Sequence, residues 1–368
     1  GALAGVRPRL VDDRPADPAT NSPRRQRYAW DGVRLPAGER HLVQVFAGTR
    51  QQTTGLDSVA ITAPVAAAPR RPRLFVLAAG VDRYPKGRAG DDHPSVPDLD
   101  FAVHDARSVR DALATGTGPF DVAFDRLLAD GEVTKVGWTG SARQVAEACR
   151  QADVGPDDIL VLFLAGHGIT TGGESPQYAF LCHDLDVRTI GEDRAGNLLP
   201  ARSQVLLWED LAEVQELPCR KLALVDTCHS GALGPGGRGT TLRDFQENLV
   251  VVVAAAADDE KSLESKAWGH GAFTKSLLEA LGGAADGHGI HGRDGVVTLH
   301  ELIDFTLERV PGLAAELAAT IQPPPGEGAV AAGAIARGGA RRLAQTPTVS
   351  PEAVVPYVRL PLARVPQP

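Results

Sequence analysis

Two rhythms of apolar and polar residues divide the chain. In HLVQVFAGT (41–49) and DSVAITAP (57–64) apolar and polar positions alternate, and a polar stretch separates the two runs. A period of two is that of half-buried strands, so residues 28–64 are predicted to hold two or three short antiparallel strands. That is too little sheet to stand alone. Residues 28–69 are therefore expected to be a small partial β-sandwich-like module, closing on the Pro/Ala linker APVAAAPRRP. Residues 1–27, rich in Pro, Arg and Asp without apolar periodicity, have the composition of a poorly ordered arm.

From residue 72 onward strands and helices alternate. RLFVLAAGVD is an apolar run followed by DLDFAVHDARSVRDALATG, whose apolar positions recur at helical spacing. FDVAFDRLL is followed in the same way by SARQVAEACRQA. DDILVLFLAGHG and RKLALVDTCHSG are two further apolar strands, and NLVVVVAAAA precedes the helical HGAFTKSLLEALGG. Strands apolar on both faces, alternating with helices, predict a mostly parallel sheet covered on both sides. In such sheets functional groups collect beyond the carboxyl ends of the strands.

Two of those ends carry chemistry. LVLFLAGHGI and KLALVDTCHSG each place a reactive side chain, His167 and Cys228, after about five apolar residues and some small ones. A thiol needs a base or a cation to become a thiolate, and imidazole has the pKa for that task. The backbone N–H groups of Gly168 and Cys228 are candidate donors to an oxyanion. Taken singly, each residue also fits a structural role, since cysteine is a common core residue and a lone histidine is often hydrogen-bonded core. A nucleophile-elbow hydrolase is disfavoured, because Asp226 stands where its glycine would be and the histidine lies upstream. A zinc site is disfavoured too, because Cys182-His183 and Cys228-His229 are adjacent pairs.

AGHG and DTCHSG resemble the His and Cys motifs of the caspase-like cysteine peptidases, closest to bacterial orthocaspases and metacaspases. LFVLAAGVDRY resembles the first strand of that family, VVVAAAADDEKSLE and WGHGAFTKSLLEAL its small-subunit region, and AQTP (344–347) its closing segment. The resemblance implies a caspase-like three-layer α/β/α sandwich over residues 70–348, large-subunit-like at 70–235 and small-subunit-like at 245–348, with 349–368 as a tail. It further implies an endopeptidase using His167 and Cys228. Asp226, and Asp105 in AVHD, fall where metacaspase-like members build an acidic S1 pocket, although the helix motif departs from the family at Ala102 and His104. Two carboxylates in one recess would pair a substrate Arg or Lys and repel an Asp. Cleavage after basic P1 residues is therefore expected. Asp258 is a weaker third candidate for the pocket, a surface turn being the plainer reading.

Composition narrows the partners. With 43% apolar and 23% charged residues among 368, the chain can bury a full core, and a net charge of -8 with mixed signs offers no basic stripe for nucleic acid. No apolar run approaches the roughly 18 residues that span a bilayer. Four cysteines without CxxC spacing point to free thiols and a reducing, cytoplasmic compartment. The absence of methionine suggests a piece of a longer multidomain polypeptide. Protein or peptide substrates are expected and no cofactor is implied. Some metacaspases bind calcium between the His and Cys motifs; Asp184 and Asp186 lie there, but the later acidic pair is not matched, which leaves calcium activation open. Around Asp294, Gly295 and Glu301 a faint EF-hand pattern lacks its first ligand, Ile290 standing there, so a Gly-rich turn into a helix is expected. SGALGPGGRGTTLRDFQ reads as a flexible loop in which Arg238 or Arg243 is a candidate autocleavage site, an ordinary solvated loop being the alternative. His229 is expected to be scaffolding, and Trp268 either lines a pocket or anchors the core. Two rival activities remain at this point: a catalytically silent caspase-like scaffold, and an esterase or acyltransferase using the same pair.

Overall fold

The computed structural model describes residues 70–88, 90, 95–114, 118–173, 177–228, 250–256, 262–288, 292–320, 344–349 and 360–365, together with four strand backbones nearer the N-terminus. The chain divides into two units, Gly1–Arg70 and Arg71–Pro368.

In the first unit β1 (Arg9–Arg14) pairs antiparallel with β2 (Arg25–Ala29), and β3 (Arg40–Gly48) with β4 (Thr54–Thr62). The second pair runs in unbroken register from Arg40 opposite Thr62 to Gly48 opposite Thr54, as its alternating sequence anticipates. The first pair falls mostly within the stretch expected to be a disordered arm. RLVDDR and RQRYA are short and charged, so neither shows the alternation that signals a strand.

The second unit is built on β5 (Arg73–Gly80), β6 (Asp121–Ala129), β7 (Ile159–Gly166), β11 (Arg220–Thr227), β12 (Val250–Ala254) and β16 (Thr348–Val349). Their order across the sheet is β16-β12-β11-β7-β5-β6; all neighbours are parallel except β16, which runs antiparallel on β12. Every residue of β7 is buried, which is why that strand reads as a continuous apolar run. Successive side chains enter two different cores. Leu160, Leu162, Leu164, Ala223 and Val225 pack with Trp138 and Val145 of α2 (Lys135–Gln151). Val161, Phe163, Ala165, Leu222 and Leu224 pack on the other face with α1 (Ala102–Ala114), α3 (Ala272–Glu279) and α4 (Leu299–Thr320). The result is the three-layer caspase-like α/β/α sandwich.

Three smaller features shape the carboxyl edge of the sheet. A minor sheet of β8 (Gly168–Thr170), β9 (Tyr178–Leu181) and β10 (Val205–Leu206) continues directly from β7. A two-residue hairpin, β13 (Glu264–Ser265) with β14 (His270–Gly271), leads into α3. Past the expected domain end at 348, β17 (Pro361–Arg364) pairs with β15 (Val296–Thr298), so the tail contributes a strand to this unit.

Candidate active site

β7 and β11 lie side by side, in parallel register from Ile159 beside Arg220 to Gly166 beside Thr227. One step further along each strand stand His167 and Cys228. The two chain segments touch closely: a Cβ added to Gly168 would lie 2.6 Å from the Cys228 carbonyl oxygen and 2.7 Å from Thr227 Oγ1. Only glycine permits that approach. Cys149, Cys182 and Cys219 are buried, whereas Cys228 is partly exposed, the setting in which a thiol can react.

His167 is held from two sides. Its backbone N–H donates to Tyr84 Oη at 3.1 Å, and the tyrosine ring leans on the imidazole with centroids 5.1 Å apart. Tyr84 is fully buried, which pushes its phenol well above the usual value and keeps it neutral. On the other side His167 Nε2 lies 2.8 Å from the carbonyl oxygen of Pro97. A carbonyl only accepts, so Nε2 carries the proton and Nδ1 is left as the basic nitrogen. Pro97 belongs to the loop between β5 and α1, where Leu99 N–H donates to Asp82 O and Tyr84 N–H to Asp98 Oδ1, each at 2.8 Å. Beneath Cys228, a hydroxyl relay from Tyr178 to Thr227 (2.7 Å) and on to the Cys228 carbonyl (3.1 Å) fixes the strand end.

Asp226 and Asp105 meet on the α1 and α3 side of the sheet. They flank Gly271, whose added Cβ would lie 3.0 Å from Asp226 Oδ2 and 3.1 Å from Asp105 Oδ2. Both are buried and bonded. Asp226 accepts from Ser262 Oγ (2.5 Å) and from Thr274 N (3.2 Å) and Oγ1 (2.7 Å). Asp105 accepts from Gly271 N (2.9 Å) and sits 2.6 Å from His270 Nδ1. Burial pushes the Asp105 carboxyl up to about 7; the His270 contact opposes that and the neighbouring Asp226 adds to it. Asp226 is also raised, again chiefly by burial, against its hydroxyl and amide donors. Ser262 is in turn tied by Gln345, buried in AQTP, which accepts from Leu263 N and donates to Ala255 O.

Of the remaining sequence candidates, those within the described residues do not join this cluster. Asp258, Arg238, Arg243 and His229 lie outside the described residues. Trp268 is half-buried against the α1-side core, the anchoring alternative. Asp184 is exposed, and Asp186 is engaged by Arg188, whose guanidinium holds its carboxyl low, at about 2. Around Asp294, carboxylates serve backbone amides: Asp286 accepts from Asp294 and Gly295, Glu301 from Gly287 and Thr298. Among the described residues no three His, Cys, Asp or Glu side chains cluster as a metal would require. Tyr84, Pro97, Ser262, Thr274 and His270 had no role in the sequence reading. Only His270, between two glycines in WGHGAF, carried a visible signal, a titratable group beside the small residues where chains approach closely.

The fold and the pair of strand ends define a caspase-type α/β domain. The sequence model of the caspase domain, Peptidase_C14, matches residues 79–323, well over half of the chain. The protein belongs to the caspase domain family of peptidases, whose substrates are proteins. No match was found among curated proteins. Among the described residues no helix is long and apolar enough to cross a membrane.

Proposed function

We propose that the protein is a cysteine endopeptidase of the metacaspase and orthocaspase type that cleaves after arginine or lysine. His167 Nδ1 takes the proton of Cys228, and the thiolate attacks the scissile carbonyl to form a carbon–sulfur bond. The developing oxyanion is met by the N–H groups of Gly168 and Cys228. The imidazolium then returns the proton to the leaving amine. A water, deprotonated by the same ring, displaces the thiol from the acyl-enzyme. Pro97 acts as the orienting acceptor, because a ring whose Nε2–H is committed to a carbonyl presents Nδ1 in the basic tautomer.

The single observation that carries this reading is the in-register adjacency of the β7 and β11 ends, with the only accessible described thiol on one and a carbonyl-oriented imidazole on the other. Support for the basic P1 preference comes from the facing carboxylates of Asp105 and Asp226. Autoprocessing after Arg238 or Arg243 follows from the same preference, and mass spectrometry of active enzyme would find an intact chain if it does not occur. The direct test is a panel of fluorogenic tetrapeptides with Arg, Lys or Asp at P1, with and without calcium. Turnover of the Arg and Lys series is expected; turnover of the Asp series alone overturns the pocket assignment, and esterolysis without peptide cleavage overturns the peptidase reading.

A further inference from the structure

The paired carboxylates of Asp105 and Asp226 are not bare anions. Each oxygen of Asp105 and Asp226 already has a partner, and one partner is itself a titratable ring. His270 Nδ1 and Asp105 Oδ1 stand 2.6 Å apart, so a proton lies between them, whichever heavy atom carries it. His104 lies face to face on His270, with centroids 4.7 Å apart and planes 16° from parallel. Two stacked imidazolium rings repel, and partial desolvation of its ring together with the charge on His270 holds His104 below its usual value. His104 is also one of the two positions where the helix motif departs from the family pattern, so the stack joins that departure to the pocket.

We infer that His270, steadied by His104, is the specificity-determining residue of this cluster: a basic P1 side chain enters as His270, Asp105 and Asp226 together give up to solvent the proton they hold in excess of a neutral imidazole and two carboxylates. The inference rests on the basic P1 reading above. The groups facing this proton are Asp105 and His104 from α1 and Asp226 from β11, with Arg107 and Asp82 acting on His104. On the hairpin, Lys266 is paired with Asp100 at 3.6 Å, and Glu264 accepts from the Asp100 N–H at 3.2 Å. As pH rises, Asp105, Asp226, His104 and His270 can only lose protons, and each loss makes the cluster more negative. Arginine is therefore admitted better at higher pH, with the proton count of the cluster in the free protein setting the slope.

The test uses the full chain carrying Cys228→Ala, so that nothing is cleaved. Two hexapeptides, one with arginine at P1 and one with its neutral isostere citrulline, are titrated calorimetrically at pH 6, 7 and 8 in buffers of different ionisation enthalpy. Arginine binding near pH 7 is expected to release up to about one proton and citrulline none, with the affinity ratio rising by as much as about tenfold per pH unit on the acid side. Added His270→Gln abolishes most of that release and shifts the rise to lower pH. Added His104→Asn, at an exposed helix position, shifts it to higher pH, because one of the two mutually repelling rings is removed. Arginine preference without proton release, or with a pH profile that neither variant moves, overturns the inference alone. No preference for arginine over citrulline, including no binding of either, overturns the basic P1 reading beneath it.

Discussion

Replacing Asp105 with asparagine should make the protein more stable at alkaline pH and weaken the proposed preference for a basic P1. Asp105 is only 3% exposed, and burial pushes its carboxyl up to about 7 from the usual 3.8. A carboxyl whose native pKa is raised favours folding in its protonated form, so the native state binds the extra proton between those two values and stability falls as pH climbs through that window. At 1.36 kcal/mol per pH unit, the burden above pH 7 is ~4 kcal/mol, an upper bound because Asp226 and His270 share the same protons. The substituted amide would have nearly the same shape, could still accept from Gly271 N–H and could turn its NH2 group toward His270. It would carry no charge to desolvate. Urea denaturation at pH 5 and pH 8 is the assay: wild type should lose stability between the two, and Asp105→Asn should lose distinctly less and exceed wild type at pH 8. A variant less stable than wild type at pH 8, with the pH dependence unchanged, would refute the argument that burial dominates this carboxyl. The same substitution should cut arginine over citrulline discrimination about tenfold or more, the worth of one charge-assisted hydrogen bond.

Three other substitutions probe the frame. Tyr84→Phe leaves the His167 N–H without its acceptor, so denaturation should report a loss of about 1–3 kcal/mol and turnover should fall mainly in kcat. Gly168→Ala drives a methyl into the Cys228 carbonyl and should abolish turnover, with a stability cost of about 1–3 kcal/mol seen by the same denaturation assay. Gln345→Ala frees the Leu263 N–H and the Ala255 carbonyl, costing about 1–3 kcal/mol for each group left buried, and limited proteolysis should then cut the hairpin region faster.

The central sheet was legible because its strands are buried on both faces: ILVLFLAG and KLALV have no reading other than interior strand once helices alternate with them. The same pattern located His167 and Cys228 at strand ends, and parallel pairing of β7 with β11 makes equal distance along two strands equal position in space. Asp105 was placed by motif resemblance, not by periodicity, since a helix aspartate ordinarily faces water. What stayed hidden depended on loops. Pro97 contributes a backbone carbonyl, which no side-chain pattern can announce. Ser262 and Thr274 are ordinary hydroxyls until the hairpin folds them over Asp226. β17 escaped notice because PLAR contains a proline and only one buried residue, and it is a strand only by virtue of pairing with β15. β1 and β2 escaped because their charged sequences mimic a solvated arm.

The central claim is that His167 and Cys228 act as one chemical unit. Its most direct test is mass-spectrometric labelling with an arginine chloromethylketone. The account predicts one adduct per chain, on Cys228, lost when Cys228 becomes alanine and greatly slowed by His167→Gln in a folded protein. Equal labelling of the His167 variant, or an adduct on Cys149, Cys182 or Cys219 instead, would contradict it.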